Sequence, residues 1–445
     1  RRLAAALVRL QLNVRHDVFV LEDLIHDASR ARRLSARQAL ALWRESLETK
    51  AVKGGPLALY MHFPYCRSRC LYCISPSEPV RRAGQTAEYL DDARRELDFF
   101  APVFQGRRFS LWGVGGGTPS LLDARGLRRW LEPATKVFSF TPGAMRTIEF
   151  NPISADREKL QTSRELGFNR VSFGVQSLDA KVLRSVNRGD QDEELVRRLI
   201  GWAREAGFEV VNVDLIFGLV GETVAGFLEG FRRLADAGPT MLTVYCLDWL
   251  KAYRDATGWS AADYERYREG ILPDAVRELP VLAAEAGFEV EEFWPQKAWY
   301  FAARGHRVRL GDDDGTSSTL GLGWHSGSHL FGRAIVVREQ ATFDPDAPAY
   351  DCADLTTKEE MGRYILYQIE RKRRLPYGAF RRRFGKDPRQ AFASELAALK
   401  AAGKIREDED GFDFLPTGSA ERVFYLAFFF MDTIAALPDS PDAGA

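Results

Sequence analysis

From Leu57 onward the chain alternates short apolar runs with longer amphipathic ones, and this alternation restricts the fold more than any other feature. The runs Leu57–Phe63, Phe109–Gly113, Thr147–Asn151, Arg170–Gly174, Val210–Phe217 and Met241–Leu247 read as strands. Helical spacing marks Glu88–Phe100, Asp123–Glu132, Arg157–Leu166, Asp192–Ala206 and Val224–Ala237 between them. Strands separated by helices are joined by crossovers, which lay them parallel in one sheet with helices on its faces. The expected fold is therefore α/β, an open (β/α)6 partial TIM-type barrel. At 445 residues the chain exceeds the roughly 250–300 at which single cores stop growing, so appendages are expected. Their boundaries read as a helical segment over 1–55, ended by Gly54-Gly55-Pro56, then the barrel and a barrel-closing extension over 56–350. A helical, winged-helix-like module over 351–437 follows, with a hairpin near Ile405 and Gly411-Phe412, and then a tail over 438–445.

Five cysteines occur, and three of them, Cys66, Cys70 and Cys73, fall within eight residues directly after the first of these strands. Such crowding suits metal ligation in a reducing compartment better than a disulfide framework. The C-terminal end of a barrel strand is also where chemistry is usually housed. A structural zinc takes four ligands, usually from two separated pairs, and no second pair stands at suitable spacing. His62 is a possible fourth ligand, but it belongs to the preceding strand and reads equally well as a packed residue. Three thiolates on a four-iron cluster leave one iron open to a small molecule. Cys246 and Cys352 stand alone and are expected to be buried. The 62 basic residues cancel the 62 acidic ones, and no run approaches about 18 apolar residues. A cytoplasmic enzyme acting on a small molecule is expected, with no nucleic-acid or membrane partner. The run Arg381-Arg382-Arg383 reads as a solvated helix face.

The C-x3-C-x2-C spacing, with Tyr72 before the last cysteine, resembles the radical S-adenosylmethionine (SAM) superfamily. Leu59-Tyr60-Met61-His62-Phe63-Pro64-Tyr65, Gly115-Gly116-Gly117-Thr118-Pro119 and Asn187-Arg188 with Asp192-Glu193-Glu194 are similar to the oxygen-independent coproporphyrinogen III oxidases and their relatives. The similarity runs from about Leu57 to Leu247. It implies a 4Fe-4S cluster on Cys66, Cys70 and Cys73, with SAM chelating the open iron and cleaved there to a 5'-deoxyadenosyl radical. It also implies a second SAM molecule and an electron donor such as flavodoxin or ferredoxin. By the same resemblance, Gly115, Gly116 and Gly117 with Thr118 meet the amino group of SAM, where glycines let backbone approach closely. Glu149 meets the same amino-acid moiety, and Arg188 the carboxylate. Gln176 contacts the ribose with Asp214 as its partner, a charge in an apolar run that needs a compensating contact. Tyr72 and Tyr245 lie near the adenine, and Tyr60 completes the cofactor-binding set.

The chain departs from the decarboxylating members where they carry glycine and a fourth cysteine, for it reads Cys73-Ile74-Ser75-Pro76. Gly311–Gly315 also lacks a clear match, although Gly321-Leu322-Gly323-Trp324-His325 resembles the following glycine motif. A kept cofactor core beside an altered substrate side favours relatives that use a second SAM as one-carbon donor. These carry out C-methylation or cyclopropanation of an unsaturated natural-product intermediate, with a partner methyltransferase a further expectation. Ser75 and His325 are then catalytic candidates, and Gln296, Trp299, Tyr300 and Trp324 candidates to line the pocket. The rival reading is oxidative decarboxylation of coproporphyrinogen III, with Arg304, Arg307 and Arg309 holding propionates. A haem-binding chaperone or haem-opening relative, with His306, His325 or His329 as axial ligand, is a third.

Overall fold

A computed structural model describes residues 4, 31–49, 55–189, 191–247, 251–294, 298–306, 315–415 and 421–435. In it the alternating runs become one sheet. Strand β1 (Arg32–Leu34) lies at an edge, and β2 (Leu57–Phe63), β3 (Arg108–Gly116), β4 (Ser139–Phe150), β5 (Arg170–Gln176), β6 (Val210–Phe217) and β7 (Met241–Cys246) are the six expected strands. Neighbours from β2 to β7 pair in parallel, in sequence order. The crossovers carry helices α1 (Gln85–Phe100), α2 (Ala124–Val137), α3 (Arg157–Glu165), α4 (Glu193–Glu205) and α5 (Val224–Asp236). Asp123, Asp156, Asp192 and Thr223 each cap a helix by accepting the third helical amide, which satisfies a donor that the helix itself leaves free. The acidic run Asp192-Glu193-Glu194 is thus the start of α4.

Strand composition sorts the two faces. In β6, Val211, Val213, Leu215 and Phe217 are buried in the main apolar core, while the alternate residues Asn212 and Asp214 belong to the opposite face. The barrel consequently has an apolar outer wall under the helices and a polar lumen.

The sheet does not stop at the six strands. Strands β8 (Phe288–Trp294), β9 (Ala298–Ala303), β10 (Ser318–Leu322), β11 (Gly327–Leu330), β12 (Ala334–Arg338) and β13 (Tyr350–Asp354) extend it to thirteen, in the order β1-β13-β12-β11-β10-β2-β3-β4-β5-β6-β7-β9-β8. Strand β10 adds parallel to β2, and all strands outside it, like β9 and β8 at the far end, are antiparallel. Within the Gly-rich stretch 315–332, residues 318–322 and 327–330 are strand. A Cβ on Gly321 would lie 2.2 Å from the Gly327 carbonyl, so the hairpin backbone passes too close for any side chain.

A buried ion cluster ties this extension to the barrel. Arg338 of β12 donates to Asp92 and Glu96 of α1, and Glu96 also accepts from Tyr350 and the Gly323 amide. The C-terminal part has a second apolar core, built from helix Thr357–Lys372, helix Tyr377–Phe384 and a three-stranded antiparallel sheet of β14 (Arg374–Pro376), β15 (Ile405–Glu407) and β16 (Gly411–Phe414). The expected hairpin is β15–β16. Arg381 pairs with Asp387, and Arg383 lies over the Phe331 ring at 3.7 Å, so part of the basic run is packed and not merely solvated. Among the described residues no helix is long and apolar enough to cross a membrane.

Candidate active site

The three cysteines leave the end of β2 in a loop that is tied down at several points. Tyr65–Cys66 pairs in parallel with Glu78–Pro79, Leu71 donates to the Val186 carbonyl at 3.1 Å, and Asn187 Nδ2 donates to the Arg69 carbonyl at 2.7 Å. His62 Nε2 donates to the Pro76 carbonyl at 2.8 Å, and its Nδ1 takes the Tyr60 hydroxyl at 3.2 Å. Burial pushes this imidazole down to about 4, so it is neutral and both nitrogens are in use. His62 therefore serves as a latch on the loop and not as a fourth ligand. The thiols have separate neighbours. Thr118 Oγ1 donates to Cys66 Sγ at 3.2 Å, Arg188 Nη1 to Cys70 Sγ at 3.7 Å, and burial pushes the Cys73 thiol up. Among the described residues no three His, Cys, Asp or Glu side chains draw together tightly enough for a single metal ion.

The remaining candidates line the lumen at the same end. Gly115 and Gly116 close β3, where a Cβ on Gly115 would meet the Glu149 carboxylate at 2.4 Å and one on Gly116 the His62 ring at 2.5 Å. The triplet thus leaves a cradle between the cysteine loop and β4. Glu149 is enclosed by protein yet faces the open lumen and keeps substantial exposure. That enclosure, with Asp214 nearby, pushes its carboxyl up to about 7. Tyr245 also faces the lumen, 39% exposed, with its ring edge-on to Tyr300.

Asp214 is not joined to Gln176 as expected. Its carboxylate is taken by the Ser172 hydroxyl and by Asn212 Nδ2 at 2.8 Å, and Thr243 donates to Asn212 at 3.0 Å. Register explains this: Ser172 lies opposite Asn212, whereas a bulge after Gly174 turns Gln176 to φ +70°. Gln176 Oε1 is left buried without a partner, as is Arg188 Nε. Arg188, 8% exposed, directs its other nitrogens to Cys70, to Tyr72 OH at 3.1 Å, to Asn151 and to the Gly174 carbonyl. Ser172, Asn212, Thr243 and Arg170 were not singled out from sequence. Their signal was available in the alternation of polar with apolar residues along β5 to β7.

Other expected residues fall elsewhere. Arg304 follows β9, whose antiparallel pairing with β7 sets Ala302 beside Met241, so Arg304 lies at the floor of the barrel, opposite the cysteines. The exposed His306 shares that position, and Arg307, Arg309, Gly311–Asp314 and Gln296 lie outside the described residues. His329 has both nitrogens engaged, by Glu360 at 2.9 Å and the Ser317 carbonyl at 3.2 Å, which removes it as an axial ligand. Trp299 is a core residue at 1% exposure. Cys352 is buried, whereas Cys246 is only half-buried. His325, at φ +66°, stacks on Trp324 at 4.3 Å with Glu339 3.9 Å from Nδ1. Ser75 is half-buried beside Cys73, and Ile74 is exposed.

Residues 60–234 match the radical SAM superfamily, and this span holds the cysteine loop, the glycine cradle and the polar lumen. Over that span the chain is a radical SAM domain. The oxygen-independent coproporphyrinogen III oxidase of Escherichia coli (strain K12) is 33% identical over 258 residues, 58% of this chain and 54% of that one. The corresponding protein of Helicobacter pylori (strain J99) is 25% identical over 388 residues, 82% of this chain and 83% of that one. The solved coproporphyrinogen III oxidase of E. coli superposes with a TM-score of 0.71 at 26% identity, covering 87% of this chain and 92% of that one. The aligned sequence thus spans about half the length of the first of these relatives. These findings overturn the one-carbon reading: the relatives are coproporphyrinogen oxidases, and nothing among them supports C-methylation or cyclopropanation.

A 4Fe-4S cluster and SAM are the cofactors of this radical SAM enzyme. The residues fit them: a buried acceptor on Gln176 and a buried donor on Arg188 lack partners beside a side-chain-free cradle. An unpaired buried polar group costs about 1–3 kcal/mol, which a ligand carrying hydroxyl and carboxylate groups would offset.

Proposed function

We propose that the chain is an oxygen-independent coproporphyrinogen III oxidase that removes carboxyl groups from propionate side chains. The observation that carries this reading is the correspondence with the solved E. coli enzyme over 92% of that chain. When bound, the cluster and SAM supply a 5'-deoxyadenosyl radical able to take a hydrogen atom from unactivated carbon. In this reading Cys66, Cys70 and Cys73 hold the cluster, and the donors Thr118 and Arg188 favour thiolate on Cys66 and Cys70. The cradle at Gly115–Gly117 receives the amino-acid end of SAM, with ionised Glu149 accepting its ammonium. Asp214, fixed by Ser172 and Asn212, and the unpartnered Gln176 receive the ribose hydroxyls. Each propionate loses one hydrogen atom, carbon dioxide leaves as the carbon–carbon bond breaks, and one electron passes to an acceptor, which leaves a vinyl group. With Arg304 on the floor, the exposed Arg67, Arg69 and Arg184 are the cations flanking the cysteine loop at the correct end for propionates. A small redox protein such as flavodoxin or ferredoxin delivers the electron that starts each cycle.

The test is anaerobic incubation of reconstituted protein with SAM, reductant and coproporphyrinogen III. Vinyl product, carbon dioxide and 5'-deoxyadenosine are expected, and none from Cys70→Ala. Vigorous 5'-deoxyadenosine formation with coproporphyrinogen left unchanged would sink the proposal.

A further inference from the structure

A cavity lies at the end of the barrel away from the cysteines. It measures about 550 Å³ and is lined by the starts of β3, β4, β5 and β6, with Arg108, Arg146, Arg164, Asn169 and Glu209 among its walls. Its shape comes from an irregularity in β4. Phe109 pairs with Phe140 and Leu111 with Met145, so extra residues of β4 loop out between these pairs, around Pro142 and Gly143. Gly143 turns at φ +74° with open space around it. Bulges of this kind commonly re-aim side chains beside functional sites.

The charges in this cavity are unbalanced. Arg128, Arg157, Arg197 and Arg233 nearby in the chain all reach carboxylates, at 2.8 Å or less. Among the described residues Arg108 and Arg146 reach none within 4.0 Å, and Arg164 donates to the Gly207 and Phe168 carbonyls. Among the described residues Glu209 is the one acid lining the cavity, and it forms no ion pair with any of the three. Arg146 is half-buried with its guanidinium over the Phe140 ring at 4.2 Å. Among the described arginines whose acidity departs from the ordinary value, it is the only one shifted down, because burial acts on it without a compensating charge. Like charges that share this open-sided cavity repel each other, and an anion between them relieves that repulsion.

We infer that the barrel floor binds a small oxyanion with two or more negative charges, a phosphate-bearing metabolite or a polycarboxylate, held by Arg108 and Arg146 with Arg164 behind them. Guanidinium forks suit both groups. The site is separate from the radical chemistry and does not depend on the identity of its substrate.

The experiment is titration calorimetry of the reconstituted protein with pyrophosphate and with citrate, at ionic strength matched with sodium chloride. Saturable binding of one of them is expected, and the preferred probe tells phosphate from polycarboxylate recognition. Arg146→Ala and Arg108→Ala should each weaken it at least tenfold, while Glu209→Gln should tighten it by removing a like charge. Should Arg146→Ala fold poorly, Arg108→Ala and Glu209→Gln decide, since both positions are exposed. Absence of saturable binding, or equal affinity in Arg108→Ala and wild type, overturns the inference.

Discussion

Glu149 and His62 show how much a side chain's position adds to its identity. A carboxyl enclosed by protein and facing another acid is held up at about 7, so Glu149 is ionised above that pH and protonated below it. If it accepts the ammonium of SAM, affinity measured on the cluster-loaded protein should fall as pH drops from 8 to 6. Glu149→Gln should bind more weakly at pH 8 and lose most of that slope. An unchanged slope would remove Glu149 from the site. His62 titrates in the opposite sense to a solvent-paired histidine. Its folded value of about 4 lies below the ordinary 6.5, so the unfolded chain binds the proton more readily. The stability tied to the neutral ring is present above pH 6.5 and is lost as pH falls towards 4, by about 3 kcal/mol in all. Denaturant midpoints of His62→Asn should be less steep in pH over that window than those of wild type. Sequence identified both residues through a motif, but it left His62 open between ligand and packing. The answer required knowing that Pro76 returns to its side of the loop.

At the scale of elements, β2 and β6 have the ends that their apolar runs predict, because a strand face that must be buried in the core leaves little choice of register. The extension was less legible. Strands β10 and β11 are rich in Ser and Gly, residues whose own preference for strand is weak, and they are strands because β2 offers an edge to pair with. The contacts of Asp92 and Glu96 with Arg338 were equally invisible, since they span more than 240 residues. They carry a prediction. Arg338 is fully buried, and Arg338→Met leaves the buried Glu96 without its cation and Asp92 with only Arg95, which costs about 3 kcal/mol or more. Adding Asp92→Asn and Glu96→Gln should recover much of that loss in chemical denaturation. If Arg338→Met alone costs under about 1 kcal/mol, the cluster is not what holds β12 to α1.

For the molecule as a whole, the order in which fold and cofactor depend on each other follows from where the apolar core lies. The main core packs the outward residues of β2 to β7 against the crossover helices and, within the loop, includes only Tyr72 as a fully buried member. The loop itself is latched by His62, Asn187 and the Leu71 amide, none of which needs a metal to make its hydrogen bond. Small zinc domains, by contrast, have so little core that the metal is their folding energy. Removing the cluster here should therefore leave a folded barrel that has lost its chemistry. The expected result for chelated protein, or for the triple variant Cys66→Ala, Cys70→Ala, Cys73→Ala, is an unchanged far-ultraviolet circular dichroism spectrum and a cooperative melt within a few degrees of wild type. Weak amide-exchange protection should be confined to the loop from Cys66 to Ser77, with β3 to β7 protected as before. Because Gln176 and Arg188 keep their backbone positions without the cluster, SAM should still bind, but at least tenfold more weakly. If the apoprotein instead melts without cooperativity, the cluster is part of the core, and the latches are too weak to hold the loop alone.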